Sequence, residues 1–185
     1  MSDLDREADA AVQAGWVDLA RAGDEEAFAA LVRTHQDRLY AIALRLTGKP
    51  HDAQDVVQEG FLQAWQGLPF FRGDARFSTW VTRIVINRCH NLRRGARPVE
   101  PLWGDDGAPT VPSADTVVIA SQRWQAAQAA VLELPFDQRA ALVLNTFAGY
   151  THAETGRILG ITESAAKVRV HRARKALLAR MQEWR

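Results

Sequence analysis

The chain has almost no cysteine and no long apolar run. Cys89 is the only cysteine among 185 residues, which excludes an internal disulfide and leaves no partner for a CxxC metal site. The longest uncharged run, residues 140–153, is too short and too polar to span a bilayer. The acidic start has neither the basic nor the apolar segment of a signal peptide. We therefore expect a cytoplasmic protein with no metal, no cofactor and no membrane insertion.

Net charge is also nearly absent, since 23 Lys and Arg stand against 22 Asp and Glu. The charges are nevertheless segregated along the chain. Residues 1–31 hold eight acids and two arginines, residues 72–97 hold seven arginines and one acid, and residues 151–185 hold eight bases and three acids. Two basic blocks indicate two contacts with one polyanion. With 47% hydrophobic residues, this length suits one medium domain or two small ones.

The stretch 151–181 has the local chemistry of a helix-turn-helix. Thr151 and Glu154 are spaced as a capping box at a helix start. Gly160 can supply the left-handed turn that ends this short helix, and Thr162 can cap a second, longer one. Gly156 leaves room for two helices to cross closely. In this motif the second helix enters the DNA major groove.

The second helix of this motif is amphipathic at helical spacing. Its apolar stripe is Ala166, Val170, Ala173, Leu177 and Met181. Its opposite face is Ser164, Lys167, Val168, His171, Arg172 and Lys175. Arg169 and Arg174 flank the stripe and are placed to reach phosphates. The alternative is a solvated amphipathic helix without a ligand.

The first half of the chain predicts two helices before a loop. Asp24 can cap a helix that ends at Gly48, and Pro50 restarts the chain into a helix over about 51–67. The outer face of this second helix is acidic and amide-rich, and Leu62 stands exposed within it. Such a face is either solvated or docks on a partner protein. Residues 3–14 are polar and are expected to be frayed or weakly helical.

An aromatic and basic loop follows at residues 68–77, with the sequence LPFFRGDARF. Phenylalanine rings beside arginines can bind single-stranded nucleic acid, because the bases stack on the rings and the phosphates contact the arginines. The phenylalanines could equally fill the core. Ser78 can cap the next helix, which runs to about Gly95. One side of that helix is basic and amide-bearing. Arg88 lies on the inward side, where we expect a salt bridge with an acid.

Four prolines and two glycines over residues 98–112 predict a linker between domains. We predict an all-α protein of two small helical domains. Its parts are an N-terminal extension (1–23), a first domain (24–97), a Pro/Gly-rich linker (98–115) and a second domain (116–185). The second domain has an Ala- and Gln-rich helix over 116–134, a helix over 136–147 with Leu142, Leu144 and Phe147 available for burial, and the helix-turn-helix.

Three stretches resemble one family in the right order. Residues 52–66, DAQDVVQEGFLQAWQ, resemble the core-binding helix of bacterial sigma factors of the extracytoplasmic-function group. Residues 71–94, FRGDARFSTWVTRIVINRCHNLRR, resemble that family's promoter-melting segment. Residues 134–144, LPFDQRAALVL, with the motif at 151–178, resemble its second domain. The resemblance implies a dissociable initiation subunit of bacterial RNA polymerase with no catalytic activity of its own.

The resemblance also implies three sets of binding residues. Those for the clamp helices of the largest polymerase subunit are Asp52, Asp55, Gln58, Glu59 and Leu62. Those for the melted minus-ten element, on the single non-template strand, are Phe70, Phe71, Arg72, Arg76, Phe77, Thr79, Arg83, Asn87 and His90. Those for the duplex minus-thirty-five element are Ser164, Lys167, Val168, Arg169, His171, Arg172, Arg174 and Lys175. Family members are usually held inactive by an anti-sigma factor, often membrane-anchored, and we expect one here.

The second helix of the motif departs from the family, which often has Gly-Thr-Val-Lys-Ser-Arg where this chain has SAAKVR at residues 164–169. Val168 stands where a hydroxyl is common, so a polar contact is replaced by a possible apolar contact to a thymine methyl. Two other readings stay open. A stand-alone helix-turn-helix regulator would bind DNA as a dimer. An enzyme would need a nucleophile–base set, a Gly-rich phosphate loop or a metal-spaced cluster, and none appears in the sequence. His51 and Asp55 could pair across one helical turn, but this spacing is more typical of a surface ion pair.

Overall fold

The computed structural model describes the backbone of residues 3–95 and 127–182, and the side chains of residues 11–92 and 127–180. Every regular element within those ranges is helical, as the sequence predicts. The first four helices are α1 (Asp3–Arg21), α2 (Glu25–Thr47), α3 (Pro50–Gly67) and α4 (Phe77–Gly95). The others are α5 (127–132), α6 (Phe136–Leu142), α7 (His152–Leu159) and α8 (Glu163–Gln182). The predicted linker and residues 116–126 of the predicted helix lie outside the described residues.

Most helix ends fall where the turn chemistry places them. The Asp24 carboxylate accepts a hydrogen bond from the Ala27 amide at 3.0 Å and so starts α2. Gly48 ends the helix in the left-handed region at φ 78°. The predicted cap at Ser78 is wrong, because α4 already begins at Phe77 and Ser78 lies in its first turn. There the Ser78 carbonyl accepts from the Thr82 hydroxyl at 2.6 Å.

The acidic N-terminal stretch differs from expectation, because α1 is a continuous helix of 19 residues. Its Val17 and Ala20 are buried in the core, and Trp16 packs beside them. Spacings of three and four residues place these groups on one helical face. α1 packs along α2, so tertiary burial stabilises a segment whose other residues are mostly polar.

The core of the first domain lies between α2, α3 and α4. Leu31 and Leu39 of α2 are fully buried against Val81 and Val85 of α4. Leu68 follows α3 in a short 3-10 turn and closes the same core. Packing of these branched side chains fixes the position of α4 against α2 and α3.

In the second domain, α6 does not continue as an α-helix to residue 147. It passes into a π-helical turn, Val143–Phe147, in which the Ala148 amide donates to the Val143 carbonyl at 2.9 Å, five residues back. Leu142 and Leu144 are buried as predicted, whereas Phe147 is about half exposed. The wider turn accounts for the difference, since it changes the direction in which the last side chains point.

The two domains pack together in the described part of the chain. Val143, Leu144, Tyr150 and Ile158 of the second domain belong to the same apolar core as α2 and α4. The buried Arg139 guanidinium donates to the Leu46 carbonyl at the end of α2 at 2.6 Å. It also donates to the Leu132 and Leu134 carbonyls of its own domain. One buried cation therefore joins the ends of α2 and α5.

Candidate nucleic-acid and polymerase interfaces

The capping box that starts the helix-turn-helix is fully formed. The Thr151 hydroxyl accepts from the Glu154 amide at 3.2 Å, and the Glu154 carboxylate accepts from the Thr151 amide at 2.9 Å. The hydrogen bond from the Thr151 amide is the largest cause that lowers the pKa of Glu154. Burial opposes it, and the Thr151 hydroxyl and the Arg157 and Arg76 charges lower the pKa further. The cap is therefore strongest when this carboxyl is ionised.

The turn between α7 and α8 depends on two glycines. Gly160 has φ +67°, and its amide donates to the Gly156 carbonyl. A Cβ atom at Gly156 would stand 2.8 Å from the Ile161 carbonyl oxygen, so the turn approaches closer than a larger residue allows. The Thr162 hydroxyl then accepts from the Ala165 amide at 3.2 Å and caps α8. These contacts confirm the predicted helix, turn and helix.

The faces of α8 match the predicted amphipathic pattern. Ala166, Val170 and Ala173 are buried, and Leu177 packs beside them, whereas the side chain of Met181 lies outside the described residues. The exposed side carries Ser164, Lys167, Val168, His171, Arg172 and Lys175. Val168 is 46% exposed in the middle of this side, an unusual place for a branched apolar group. The arrangement leaves a basic helix face open to a duplex.

The two flanking arginines already have partners within the domain. Arg169 pairs with Asp137 at 3.2 Å, beside the start of α6. Arg174 donates to the Asn145 amide oxygen and the Thr146 hydroxyl, both at 3.2 Å. The Asn145 side chain in turn donates to the Tyr150 carbonyl at 2.9 Å. Both arginines therefore hold α8 against the preceding segment, and their contact with DNA stays a prediction.

The outer face of α3 is accessible, as predicted. Leu62 is 59% exposed, and Asp55, Gln58 and Glu59 are exposed around it, with Asp52 partly so. Asp55 pairs with His51 at 2.9 Å on the surface, so the ion-pair reading of that pair is confirmed.

The acid that pairs with Arg88 lies on this same face. Arg88 bridges to Glu59 at 3.0 Å and donates to Gln63 at 3.2 Å. The predicted salt bridge of Arg88 is confirmed, although the side chain is partly exposed rather than buried.

The aromatic loop divides into one exposed ring and two buried rings. Phe70 is 83% exposed, whereas Phe71 and Phe77 are buried and stack against Trp80 with ring centroids 4.8 and 5.8 Å apart. The base-stacking role predicted for Phe71 and Phe77 is wrong here, because both rings fill the core.

His35 of α2 packs on the Phe77 ring. Burial, followed by the nearby Arg38 charge, lowers the pKa of the His35 imidazole.

The predicted minus-ten face of α4 is only partly accessible. Arg83 and Asn87 are exposed, and so are Arg72 and Arg76 in the preceding loop. Thr79 is buried, which contradicts its expected place on an open face. The position of His90 also differs, because its ring packs on Phe136 of the second domain with centroids 5.0 Å apart.

Sequence reasoning missed a buried contact between α4 and the second domain. The Thr82 and Tyr150 hydroxyls lie 2.9 Å apart across the domains. Thr82 could have been found from its spacing, since it stands three residues after Thr79. Tyr150 carries no such signal, because 68 residues separate it from its partner.

Two further findings concern classes of site that the described residues do not contain. They hold no group of three or more metal-ligating side chains, and no helix among them is long and apolar enough to cross a membrane. Cys89 is a buried free thiol in this part of the chain, and burial raises its pKa to about 12. Such a thiol is poorly reactive.

Comparison with known proteins assigns both halves of the chain to one class. Residues 31–98 match the family described as Sigma-70 region 2, and residues 124–177 match Sigma-70 region 4. Two helical domains that correspond to these regions define a sigma-70-type transcription initiation factor. The ECF RNA polymerase sigma factor SigM of Mycobacterium tuberculosis is 38% identical over 165 residues, covering 86% of this chain and 79% of that protein. The chain belongs to the extracytoplasmic-function sigma factors.

Solved structures agree with this assignment. CnrH, solved in complex with the cytosolic domain of CnrY, has a TM-score of 0.73 and 26% identity, covering 93% of this chain and 98% of its own. The sigma factor RpoE of Bartonella quintana, solved with the anti-sigma factor NepR, has the same fold with a TM-score of 0.68 and 24% identity, over 84% of this chain and 96% of its own. Membership of this family disfavours the stand-alone regulator.

Proposed function

We propose that the chain binds core RNA polymerase, reads both promoter elements and assists their melting, with no catalytic activity of its own. The observation that carries the proposal is the presence of two exposed faces of different chemistry in one sigma-type chain. One is acidic with an exposed leucine on α3, and the other is basic on α8. An acidic face of this kind suits a protein partner, and a basic helix face suits duplex DNA.

The polymerase contact is assigned to the outer face of α3. Leu62 supplies an apolar anchor surrounded by acids and amides that face solvent. A desolvated apolar anchor within a polar rim is the usual arrangement of a binding hot spot. The clamp helices of the largest polymerase subunit are the proposed partner, and the binding residues are Asp52, Asp55, Gln58, Glu59 and Leu62.

The minus-ten contact is assigned to the loop after α3 and to α4. Phe70 offers an open ring for a base that has left the stack, and Arg72 and Arg76 offer cations for the neighbouring phosphates. Arg83 and Asn87 extend this surface along α4. His90 belongs to it only after the second domain has moved away, since its ring packs on Phe136 of that domain.

The minus-thirty-five contact is assigned to α8. Lys167, Val168, His171 and Arg172 are placed to reach base edges or nearby backbone, while Ser164 and Lys175 lie toward the two ends of the face. Val168 can contact a thymine methyl, and Arg172 can donate two hydrogen bonds to a guanine. Arg169 and Arg174 are peripheral and would exchange their present partners for phosphates.

Regulation and location follow from the proposed role. Polymerase and promoter DNA lie in the cytoplasm, where we place the protein. An anti-sigma factor is the proposed inhibitor, since the RpoE neighbour was solved with one. CnrH was solved with the cytosolic domain of CnrY, which fits sequestration at the inner face of the membrane.

The proposal is tested by capture of bacterial core RNA polymerase on the immobilised full chain, followed by run-off transcription. The test variant is Asp55→Arg/Leu62→Arg, and its matched control is Asp18→Arg/Leu19→Arg, an exposed acid and leucine on α1. We expect capture by the wild type and the control but not by the test variant. Equal capture by all three, or none by any folded sample, would contradict the assignment of the α3 face.

A further inference from the structure

Arg88 of α4 contacts two residues of the outer face of α3 at once. Its Nη1 atom lies 3.0 Å from Oε2 of Glu59, and its Nε atom donates to Oε1 of Gln63 at 3.2 Å. Glu59 and Gln63 are four residues apart and therefore neighbours on the surface of α3. Because a guanidinium is planar and rigid, the two bonds together fix the orientation of both side chains.

The position of Arg88 is set by a close crossing of α3 and α4. A Cβ atom at Gly60 would stand 2.8 Å from the Cγ2 atom of Val85, so the two helices approach more closely here than a larger residue allows. Gly60 follows Glu59 directly, and Arg88 follows Val85 by three residues on the same side of α4. Val85 is fully buried. The side chain of Arg88 therefore extends from a tightly packed part of α4 toward α3.

The contact leaves the outer atoms of both α3 side chains available. Glu59 and Gln63 are exposed, whereas Arg88 is only partly exposed. Since Arg88 pairs with Oε2 of Glu59, the second carboxylate oxygen can accept a hydrogen bond from a partner. A guanidinium has donors only, so the Gln63 amide turns its oxygen to Arg88 and its NH2 group outward.

The outer face of α3 thus has a defined order of chemical groups. Glu59 presents an acceptor, Leu62 presents an apolar side chain that is 59% exposed, and Gln63 presents a donor. Without Arg88, the Gln63 amide could rotate and present either its oxygen or its NH2 group. A single exposed ion pair adds little to stability. The main consequence of the contact is therefore the pattern that the face offers to a partner.

We propose that Arg88 is a positioning residue of the polymerase-binding face, which acts through Glu59 and Gln63 and does not itself touch the polymerase. This rests on the proposed function for the role of α3. The complementary polymerase surface carries a cation opposite Glu59, an apolar pocket for Leu62 and a hydrogen-bond acceptor opposite Gln63. Arg88 lowers the cost of ordering two side chains on binding and selects against partners with a donor opposite Gln63.

The first experiment measures the affinity of the labelled full chain for core RNA polymerase by titration at one fixed salt concentration. Arg88→Met keeps a long side chain but makes neither bond, and it should bind about tenfold more weakly, as expected when two side chains must be ordered on binding. Arg33→Met is the matched control, because it removes the same charge from an exposed ion pair with Glu26 within α2. It should bind like the wild type. Equal or tighter binding by Arg88→Met would overturn the proposal.

A double-mutant cycle separates positioning from the other roles that Arg88 could have. In the Glu59→Ala/Gln63→Ala background, Arg88→Met should change the affinity for polymerase by less than about twofold, because the residues through which it acts are gone. A role in stability alone, or a direct contact with the polymerase, would give the same loss in both backgrounds. That result would also overturn the proposal.

The second experiment tests the outward donor of Gln63. Gln63→Glu still accepts from Arg88 but replaces the outward NH2 group by an oxygen, so polymerase binding should weaken by about tenfold. Gln54→Glu is the matched control, since Gln54 is also exposed on α3. An added acid at this position should not weaken binding to a partner that carries cations. Unchanged or tighter binding by Gln63→Glu would contradict the assigned pattern.

Failure of the proposed function would give a different result. In that case Asp55→Arg/Leu62→Arg would bind polymerase as well as the wild type does. If this variant loses binding while Arg88→Met does not, the α3 face is the polymerase contact and only the positioning role of Arg88 is overturned.

Discussion

Arg172 is the side chain whose loss should change promoter choice most directly. It lies exposed on the reading side of α8, where a guanidinium can contact a guanine through two hydrogen bonds. Arg172→Ala should weaken binding to the preferred minus-thirty-five sequence by about 1–3 kcal/mol and reduce discrimination at one base pair. Competition between promoter variants in run-off transcription measures this, and an unchanged preference would remove Arg172 from base recognition.

Arg174 provides the contrast for that experiment. Because it is held by Asn145 and Thr146, Arg174→Ala should lower the stability of the second domain more than it changes base preference. The sequence places both arginines on or beside the same helix face and cannot separate these roles. The partners of Arg174, which lie 28 and 29 residues away, separate the two roles, and those partners are visible only in the folded chain.

Glu154 should make the stability of the helix-turn-helix depend on pH. The folded-state pKa of this carboxyl is lowered, so its stabilising effect is present above the unfolded pKa and is lost as the pH falls through the folded pKa. Glu154→Ala should lower the free energy of unfolding by about 1 kcal/mol at pH 7, a typical value for a lost cap.

Denaturant unfolding of Glu154→Ala and wild type between pH 7 and pH 3 measures this dependence. The difference between their free energies of unfolding should shrink in acid, where the Glu154 carboxyl of the wild type becomes protonated. Glu154→Gln is the control, because an amide can still accept the Thr151 hydrogen bonds but does not titrate. A difference for Glu154→Ala that is constant across this range would contradict the argument.

At the scale of the element, the turn before α8 depends on a backbone conformation that L side chains adopt at a cost. Gly160→Ala should destabilise the chain by about 1 kcal/mol, because its φ of +67° brings a Cβ atom close to the following carbonyl. Gly15→Ala is a matched control inside α1, where a Cβ atom would meet nothing within 4 Å.

The Gly15 control should give the opposite sign. Alanine should stabilise α1 by about 0.5–1 kcal/mol through its greater helix propensity. Thermal or denaturant unfolding of both variants tests the pair. A Gly160→Ala chain as stable as the wild type would show that the turn accepts another conformation.

The sequence predicts elements best where local chemistry decides them. Asp24, Gly48, Thr151 and Gly160 mark helix ends through contacts three or four residues away, and all four act as expected. The strength of α1 was underestimated, because its stability comes from packing on α2 rather than from its own residues. The burial of Phe71 and Phe77 could not be separated from a base-stacking role, since both readings use the same residue types.

For the whole molecule, Arg139 should be the residue on which cooperative unfolding depends most. It is buried and donates to carbonyls at the ends of α2 and α5. Arg139→Met should destabilise the chain by about 2–5 kcal/mol, since buried carbonyls would lose a charged donor.

Arg139→Met should also separate the unfolding of the two domains, so that one calorimetric transition becomes two. Arg33→Ala should leave the transition single, because the ion pair of Arg33 with Glu26 lies within α2. A single, slightly lowered transition in Arg139→Met would mean that the apolar contacts alone couple the domains.

The contact between the domains is the feature that sequence reasoning could least anticipate. Its hydrogen bonds join residues separated by 68, 93 and 110 positions. Periodicity identifies apolar faces but does not say which distant face covers them. The open face predicted on α4 is therefore wrong at His90, whose ring packs on Phe136, whereas Arg83 and Asn87 are exposed as predicted.

The π-helical turn at Val143–Phe147 has a consequence for insertions and deletions. A turn of this kind holds one more residue than the α-helical turn it replaces. Deleting one residue there would let α6 close an ordinary α-helical turn over nearly the same arc, so the segment that carries Tyr150 would keep its direction toward α4. In evolutionary terms, this turn is a place where the gain or loss of a single codon is absorbed locally, without separating the two halves of the protein.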